Sequence, residues 1–123
     1  MKNYISEGMS IPVIADREIT SGEPVIVGKL FGIPATSAHV GGSFELYLTG
    51  VYALRSDGSQ FSAGDAVFFD KTPKKDTDHP EAREFYVVTS QKSENTVLIG
   101  VSAHDAAKAD PSVRVRLNGI TLP

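Results

Sequence analysis

The chain has 123 residues, of which 41% are hydrophobic and 22% charged, with no cysteine and a net charge of −3. This length and composition predict a single folded domain over residues 1–123 and exclude a largely disordered chain. The mild acidity gives no positive field for nucleic acid or anionic lipid, and no apolar run approaches the roughly 20 residues that span a bilayer. We therefore expect neither a nucleic-acid nor a membrane partner.

Short runs rich in Val, Ile, Phe, Tyr or Thr recur along the chain, and each is bounded by Gly, Pro, Asp or Ser. In the run 44–49, alternation places Phe44, Leu46 and Leu48 on one face, which we expect to be buried. In the run 113–117, three aliphatic residues alternate with Arg114 and Arg116. The sequence predicts an all-β fold with strands at 11–14, 24–27, 31–33, 44–49, 51–54, 66–70, 84–89, 96–101 and 113–117.

Helix is predicted in one place at most. The segment 103–109 is rich in alanine, ends at Asp110-Pro111, and has Ser102 as a candidate N-cap. One short helix of one or two turns is all that this segment allows. The polar stretch 71–83 is predicted to be a solvated loop.

Two kinds of segment repeat within the sequence. The turn at 21–25, Ser-Gly-Glu-Pro-Val, resembles Ala-Gly-Asp-Ala-Val at 63–67. A second pattern, Leu-x-Gly-x-x-Ala, occurs at 30–35, 48–53 and 98–103. Because a glycine inside a strand marks a bulge, a bend or a close backbone approach, the repeats favour a small β-barrel, with a sandwich as the alternative.

Residues that could carry chemistry are few and scattered. His39, His79 and His104 show no metal-ligand spacing, and the acidic stretch 76–81 lacks the glycine and distal glutamate of a calcium loop. No phosphate-binding glycine loop is present. The sequence therefore predicts no catalytic residue, no metal and no cofactor, and a small hydrolase that uses His39 or His104 is a distant alternative.

Candidate partner contacts lie at the two ends of the chain. Arg114 and Arg116 share one strand face, where their guanidinium groups can pair with carboxylates of a partner, although a simply solvated strand explains them equally well. Residues 1–8 have the character of an arm in which Asn3, Tyr4 and Ile5 can order on a partner's sheet edge. The alternative is that Tyr4 and Ile5 pack on their own domain.

Several segments, taken in order, resemble one family. These are residues 1–8, 21–28, 30–33, 45–52, 64–67, 98–101 and 113–119. They are similar to short tailed-phage and prophage proteins of formerly unknown function whose genes lie beside that of the major capsid protein. Relative to that family, residues 71–95 form an insertion.

The resemblance implies a non-enzymatic virion protein that decorates or cements the outside of the phage head. Its expected partners are the major capsid protein and further copies of itself, in a homotrimer, and it would be made in the cytoplasm of the bacterial host. The main alternative is a head-fibre or carbohydrate- or small-ligand-binding module that uses exposed aromatic residues, for which Tyr47, Tyr52, Phe85 and Tyr86 are available.

Overall fold

A computed structural model describes residues 8–75 and 84–123. Within these residues the regular structure consists of β-strands and contains no helix, which confirms the all-β prediction. The nine strands are β1 (Ser10–Ile14), β2 (Val25–Val27), β3 (Leu30–Pro34), β4 (Ser43–Tyr47), β5 (Val51–Arg55), β6 (Ala66–Asp70), β7 (Val88–Thr89), β8 (Thr96–Ser102) and β9 (Ser112–Leu122).

The strands are joined by antiparallel pairing in the order β1-β4-β3-β9-β8-β6-β7, with β2 paired to β3 and β5 paired to β9. The two ends of this path, β1 and β7, do not pair with each other within the described parts of the chain. Of the two arrangements expected from the sequence, a barrel or a sandwich, a closed barrel is therefore not formed by the described residues.

The contacts divide the chain into two compact units. The N-terminal unit comprises Met1–Gly50 with Asn118–Ile120, and the C-terminal unit comprises Val51–Leu117 with Thr121–Pro123. Strands β1 to β4 belong to the first unit, and strands β5 to β8 with most of β9 belong to the second. Folding of the whole chain as a single domain stays a prediction.

The two units repeat the same strand pairing. In the N-terminal unit, β1 pairs with β4 from Ser10↔Tyr47 to Ile14↔Ser43. In the C-terminal unit, β5 pairs with β9 in the same pattern over five residues, from Val51↔Arg116 to Arg55↔Ser112. The further pairs of β4 and β9 also correspond: Ile33↔Tyr47 and Pro34↔Leu46 in one unit, Val101↔Arg116 and Ser102↔Val115 in the other.

The turns that precede β2 and β6 also match. Gly22 N donates to Pro34 O at 3.0 Å, and Gly64 N donates to Ser102 O at 2.8 Å. An isolated bridge pairs Ile19 with Ala38 in the first unit and Phe61 with Ala106 in the second. Strands β1, β2, β3 and β4 therefore correspond to β5, β6, β8 and β9, and the chain is an internal duplication.

The repeated glycines of β3 and β8 occupy equivalent places. A Cβ atom on Gly32 would collide with the backbone oxygen of Tyr47, and one on Gly100 would collide with that of Arg116. These glycines are needed where two backbones approach closely, not at the corner of a barrel. The third sequence repeat is not equivalent, because its Gly50 has a φ of 114° between β4 and β5.

The predicted core faces are confirmed. Phe44 and Leu46 are buried, and Leu48 is partly buried against the same cluster in the N-terminal unit. The inward residues of β9 are completely buried in the C-terminal unit, as the alternation of the run 113–117 indicated; they are Val113, Val115 and Leu117.

The short helix that the sequence allowed at 103–109 is not formed. Ala106 and Phe61 instead exchange two backbone hydrogen bonds of 2.9 and 3.0 Å, and both side chains are buried. Ser102 lies at the end of β8 and is not a helix cap, because its hydroxyl donates to the backbone oxygen of His104 at 2.5 Å. A pairing distant in sequence has overridden the local preference for helix.

The largest difference between the units is one connection. Residues 28–29 alone join β2 to β3, whereas residues 71–95 join the equivalent β6 to β8. Part of this longer connection packs on the C-terminal unit, because β7 pairs with β6 and Val88 is 1% exposed.

Candidate partner-binding face

The outward side of β5 and β9 forms an exposed, positively charged surface. In both strands, alternate residues point away from the buried side, and the outward ones carry no acidic group. We call this surface the arginine face; its members are Val51, Ala53, Arg55, Ser112, Arg114 and Arg116.

Exposed apolar residues flank Arg116 on this face. Val51, Arg116 and Val101 follow one another across β5, β9 and β8, and Ala66 on β6 continues the row. Val51 is 54% exposed and Val101 is 41% exposed. A guanidinium group between exposed aliphatic side chains is typical of a protein-binding surface, since arginine is enriched at interfaces and carboxylates are depleted there.

No carboxylate in the described part of the chain forms an ion pair with the three arginines. Arg55 lies over the ring of Phe85, with its guanidinium carbon 4.3 Å from the ring centroid. Arg116 donates to the neighbouring backbone oxygen of Leu117, and the Arg114 guanidinium forms no ion pair within residues 8–75 and 84–123. The face therefore presents positive charge that no ion pair among the described residues neutralises.

The equivalent surface of the N-terminal unit has different chemistry. It is formed by the outward residues of β1 and β4, and we call it the glutamate face: Ser10, Pro12, Ile14, Ser43, Glu45 and Tyr47. Glu45 is its one charged member and accepts a hydrogen bond of 2.8 Å from the Ser10 hydroxyl. Ile14 is 65% exposed. Glu45 and Tyr47 stand where the other unit has Arg114 and Arg116.

The remaining predicted contacts lie outside the described residues. Asn3, Tyr4 and Ile5 fall in residues 1–7, and the acidic stretch with His79 falls in residues 76–83. Of the predicted partner contacts, the structure therefore places Arg114 and Arg116 alone.

The two histidines considered for a hydrolase each have a hydrogen-bond or ion-pair partner in the structure. The Nε2 atom of His104 accepts the backbone N–H of Arg114 at 3.2 Å, and Asp105 accepts the backbone N–H of Ala63 at 2.8 Å. His39 pairs with Glu18 at 2.9 Å, and both side chains are highly exposed. In residues 8–75 and 84–123, no cluster of three potential metal ligands occurs.

Two of the aromatic residues considered for a ligand site already have ring contacts. Arg55 covers one side of Phe85, and Tyr86 stacks on Phe69 with the ring centroids 5.4 Å apart. Tyr52 is half-buried, and Tyr47 belongs to the glutamate face. One face of the Phe85 ring and one face of the Tyr86 ring are therefore already occupied by contacts within the chain.

Sequence reasoning missed one charged member of the arginine face. Alternation in the run 51–55 places Arg55 on the same side as Val51 and Ala53, and this signal was present in the sequence. That Arg55 shares one face with Arg114 and Arg116, directly opposite Ser112, depends on the antiparallel pairing of β5 with β9, which local patterns do not specify.

The described residues define a small all-β protein with two exposed strand faces that differ in charge. A family model described as "Phage cement protein" matches residues 5–117. The chain therefore belongs to the phage cement protein family, as its sequence resemblance indicated. No curated protein and no solved structure matches it. Within the described residues no helix is long and apolar enough to cross a membrane.

Proposed function

We infer that the protein is a non-enzymatic structural component of the virion that binds the outside of a phage head and stabilises the lattice of the major capsid protein. The single observation that carries this proposal is the family match over residues 5–117. The exposed arginine face supports it, because a cement protein must present a surface that other subunits can bind.

The stabilisation is entirely non-covalent. A subunit bound across the seam between capsid subunits adds buried area that must be exposed again when the seam opens. Association into a homotrimer multiplies weak contacts, because the second and third subunits then bind at a high effective concentration. The protein would be made in the bacterial cytoplasm and act on the capsid exterior.

Two groups of residues are the proposed contacts. Asn3, Tyr4 and Ile5 combine two apolar side chains with a polar one in the arm at residues 1–8, and such an arm can become ordered on a neighbouring subunit. Arg114 and Arg116 supply guanidinium groups for carboxylates, either on the capsid or on another copy of the chain.

Co-sedimentation with expanded capsids that lack the protein tests this proposal. We expect saturable binding at a fixed ratio to the major capsid protein, and weaker binding when residues 1–8 are deleted. Absence of binding by the full chain would overturn the cement role. Unchanged binding by the deletion variant would remove the arm from the proposed contacts and leave the cement role in place.

A further inference from the structure

The internal duplication gives the chain two surfaces with the same backbone and complementary chemistry. The arginine face carries three cations and no acid, and the glutamate face carries one acid and no cation. Each face is built on two antiparallel strands that pair over five positions in the same register. The two faces therefore match in size, and they differ in charge.

We propose that the arginine face of one copy binds the glutamate face of a second copy, so that subunits associate head to tail. This inference rests on the self-association included in the proposed function and assigns the surfaces that perform it. A contact between two different surfaces is heterologous, and it generates a ring when the rotation between subunits closes.

Charge selects this pairing over the two symmetric ones. Two arginine faces brought together would oppose six guanidinium groups with no carboxylate between them. Two glutamate faces would oppose carboxylates with no cation. In the mixed pairing, Glu45 meets the positive charge of Arg114 and Arg116, and a planar guanidinium group can bind its carboxylate with two hydrogen bonds.

Apolar side chains complement the ionic contact. Val51 and Val101 flank Arg116 on one face, and Tyr47 and Ile14 are exposed on the other, at 40% and 65%. Burying these residues between two copies removes apolar area from water around a central charged pair. Tyrosine and arginine are the residue types most enriched at the energetic centre of protein interfaces.

The experiment reverses the charge of each face separately and measures solution mass by light scattering. One variant carries Arg114→Glu and Arg116→Glu, and the other carries Glu45→Arg. We expect the wild-type chain to be oligomeric and each variant to be monomeric at the same concentration. Mixing the two variants restores opposite charges on facing surfaces, so the mixture is expected to associate again.

Lys92→Glu and Glu94→Arg change the charge at exposed positions outside both faces and serve as matched controls.

Three results would overturn the pairing: a monomeric wild-type chain, variants that keep the wild-type mass, or a mixture that stays monomeric. Circular dichroism of each variant checks that the fold is intact. If the double variant does not fold, Glu45→Arg still tests the pairing, because it leaves the arginine face unaltered.

Capsid co-sedimentation is measured on the same proteins. If a monomeric variant still binds capsids at saturation, the cement role stands without self-association. Loss of capsid binding by the arginine variant alone, with its mass unchanged, would assign the arginines to the capsid.

Discussion

The two repeated units share their pairing register and differ where the chain faces solvent. Close-contact positions are alike: Gly32 and Gly100 allow two backbones to approach, and Ile19 and Phe61 fill equivalent buried places. The outward faces and the β2–β3 and β6–β8 connections differ. The comparison teaches that buried residues and glycines at close backbone contacts specify this fold. The outward residues of the strands can differ between the units and carry different charges.

The largest effect on stability is expected from truncating the large side chain that each isolated bridge buries, Phe61 in one unit and Ile19 in the other. Phe61→Ala removes a ring that is 1% exposed, and we expect a loss of about 4 kcal/mol in the free energy of unfolding. The equivalent Ile19→Ala removes a smaller side chain and should cost about 3 kcal/mol. Urea denaturation measures both. If the chain folds as one domain, each variant should still unfold in a single transition, and two separated transitions would contradict that prediction.

A smaller loss is expected when the equivalent glycines gain a methyl group. In Gly32→Ala and Gly100→Ala the new Cβ atom meets a backbone oxygen that cannot move without disturbing strand pairing. We expect each to lower the free energy of unfolding by about 2 kcal/mol, which chemical denaturation measures. Ser112→Ala, at an exposed strand position, is the control and should change it by less than about 0.5 kcal/mol. Tolerance of alanine at one glycine but not the other would break the equivalence of the units.

Asp16, which lies after β1, and Asp57, which lies after β5, both have a lowered pKa but differ in their exposure to solvent. Burial raises the pKa of Asp57, but hydrogen bonds from Ser59 and Thr89 outweigh it and hold the pKa below its usual value. The pKa of the fully exposed Asp16 is also lowered, by its hydrogen bond and attraction to Arg17. A lowered carboxyl pKa contributes stability that is present above the ordinary pKa and is lost as pH falls through the folded-state pKa.

Asp57→Asn should therefore destabilise the protein by less than about 1 kcal/mol at pH 7, because solvent screens a largely exposed group. The difference from wild type should shrink as the pH approaches 3. Asp16→Asn should produce no measurable change at either pH. Urea denaturation at pH 7 and pH 3 tests both, and a difference for Asp57→Asn that grows on acidification would contradict the assignment.

A similarly small effect on stability is expected at the arginine face. Arg114→Ser together with Arg116→Ser removes two exposed groups that have no ion-pair partner among the described residues, so the free energy of unfolding should change by less than about 0.5 kcal/mol. Chemical denaturation measures this change, and light scattering on the same sample measures self-association. A large loss of stability would show that these arginines support the fold itself and would weaken their use as a binding surface.

Much of the fold could be predicted from the alternation of apolar and polar residues and from the Gly, Pro, Asp and Ser residues that bound each run. The run 66–70 matches β6 at both ends, and the buried faces of β4 and β9 were predicted correctly. The strand predicted at 84–89 is longer than the observed one, because β7 contains only Val88 and Thr89. Local patterns could not predict the bridge that replaces the helix at 103–109, since its partner Phe61 lies more than forty residues away.

The candidate site was predicted in part. Two repeated sequence patterns indicated equivalent turns and strands, and the alternation of β9 placed Arg114 and Arg116 outward. The equivalence of Arg114 with Glu45, and of Arg116 with Tyr47, depends on the pairing register of β1 with β4 and of β5 with β9. Register arises from packing between distant strands, so a single sequence does not display the charge complementarity of the two faces.

The most direct test of the cement role is the temperature at which phage heads lose integrity. Heads that lack the protein would be heated with and without a saturating amount of the purified chain, and release of the packaged DNA would be followed by dye fluorescence. A ligand that binds the intact lattice more tightly than the opened one must raise that temperature. We expect a clear upward shift that saturates at the binding ratio found by co-sedimentation. An unchanged release temperature at saturating occupancy would contradict the proposed function.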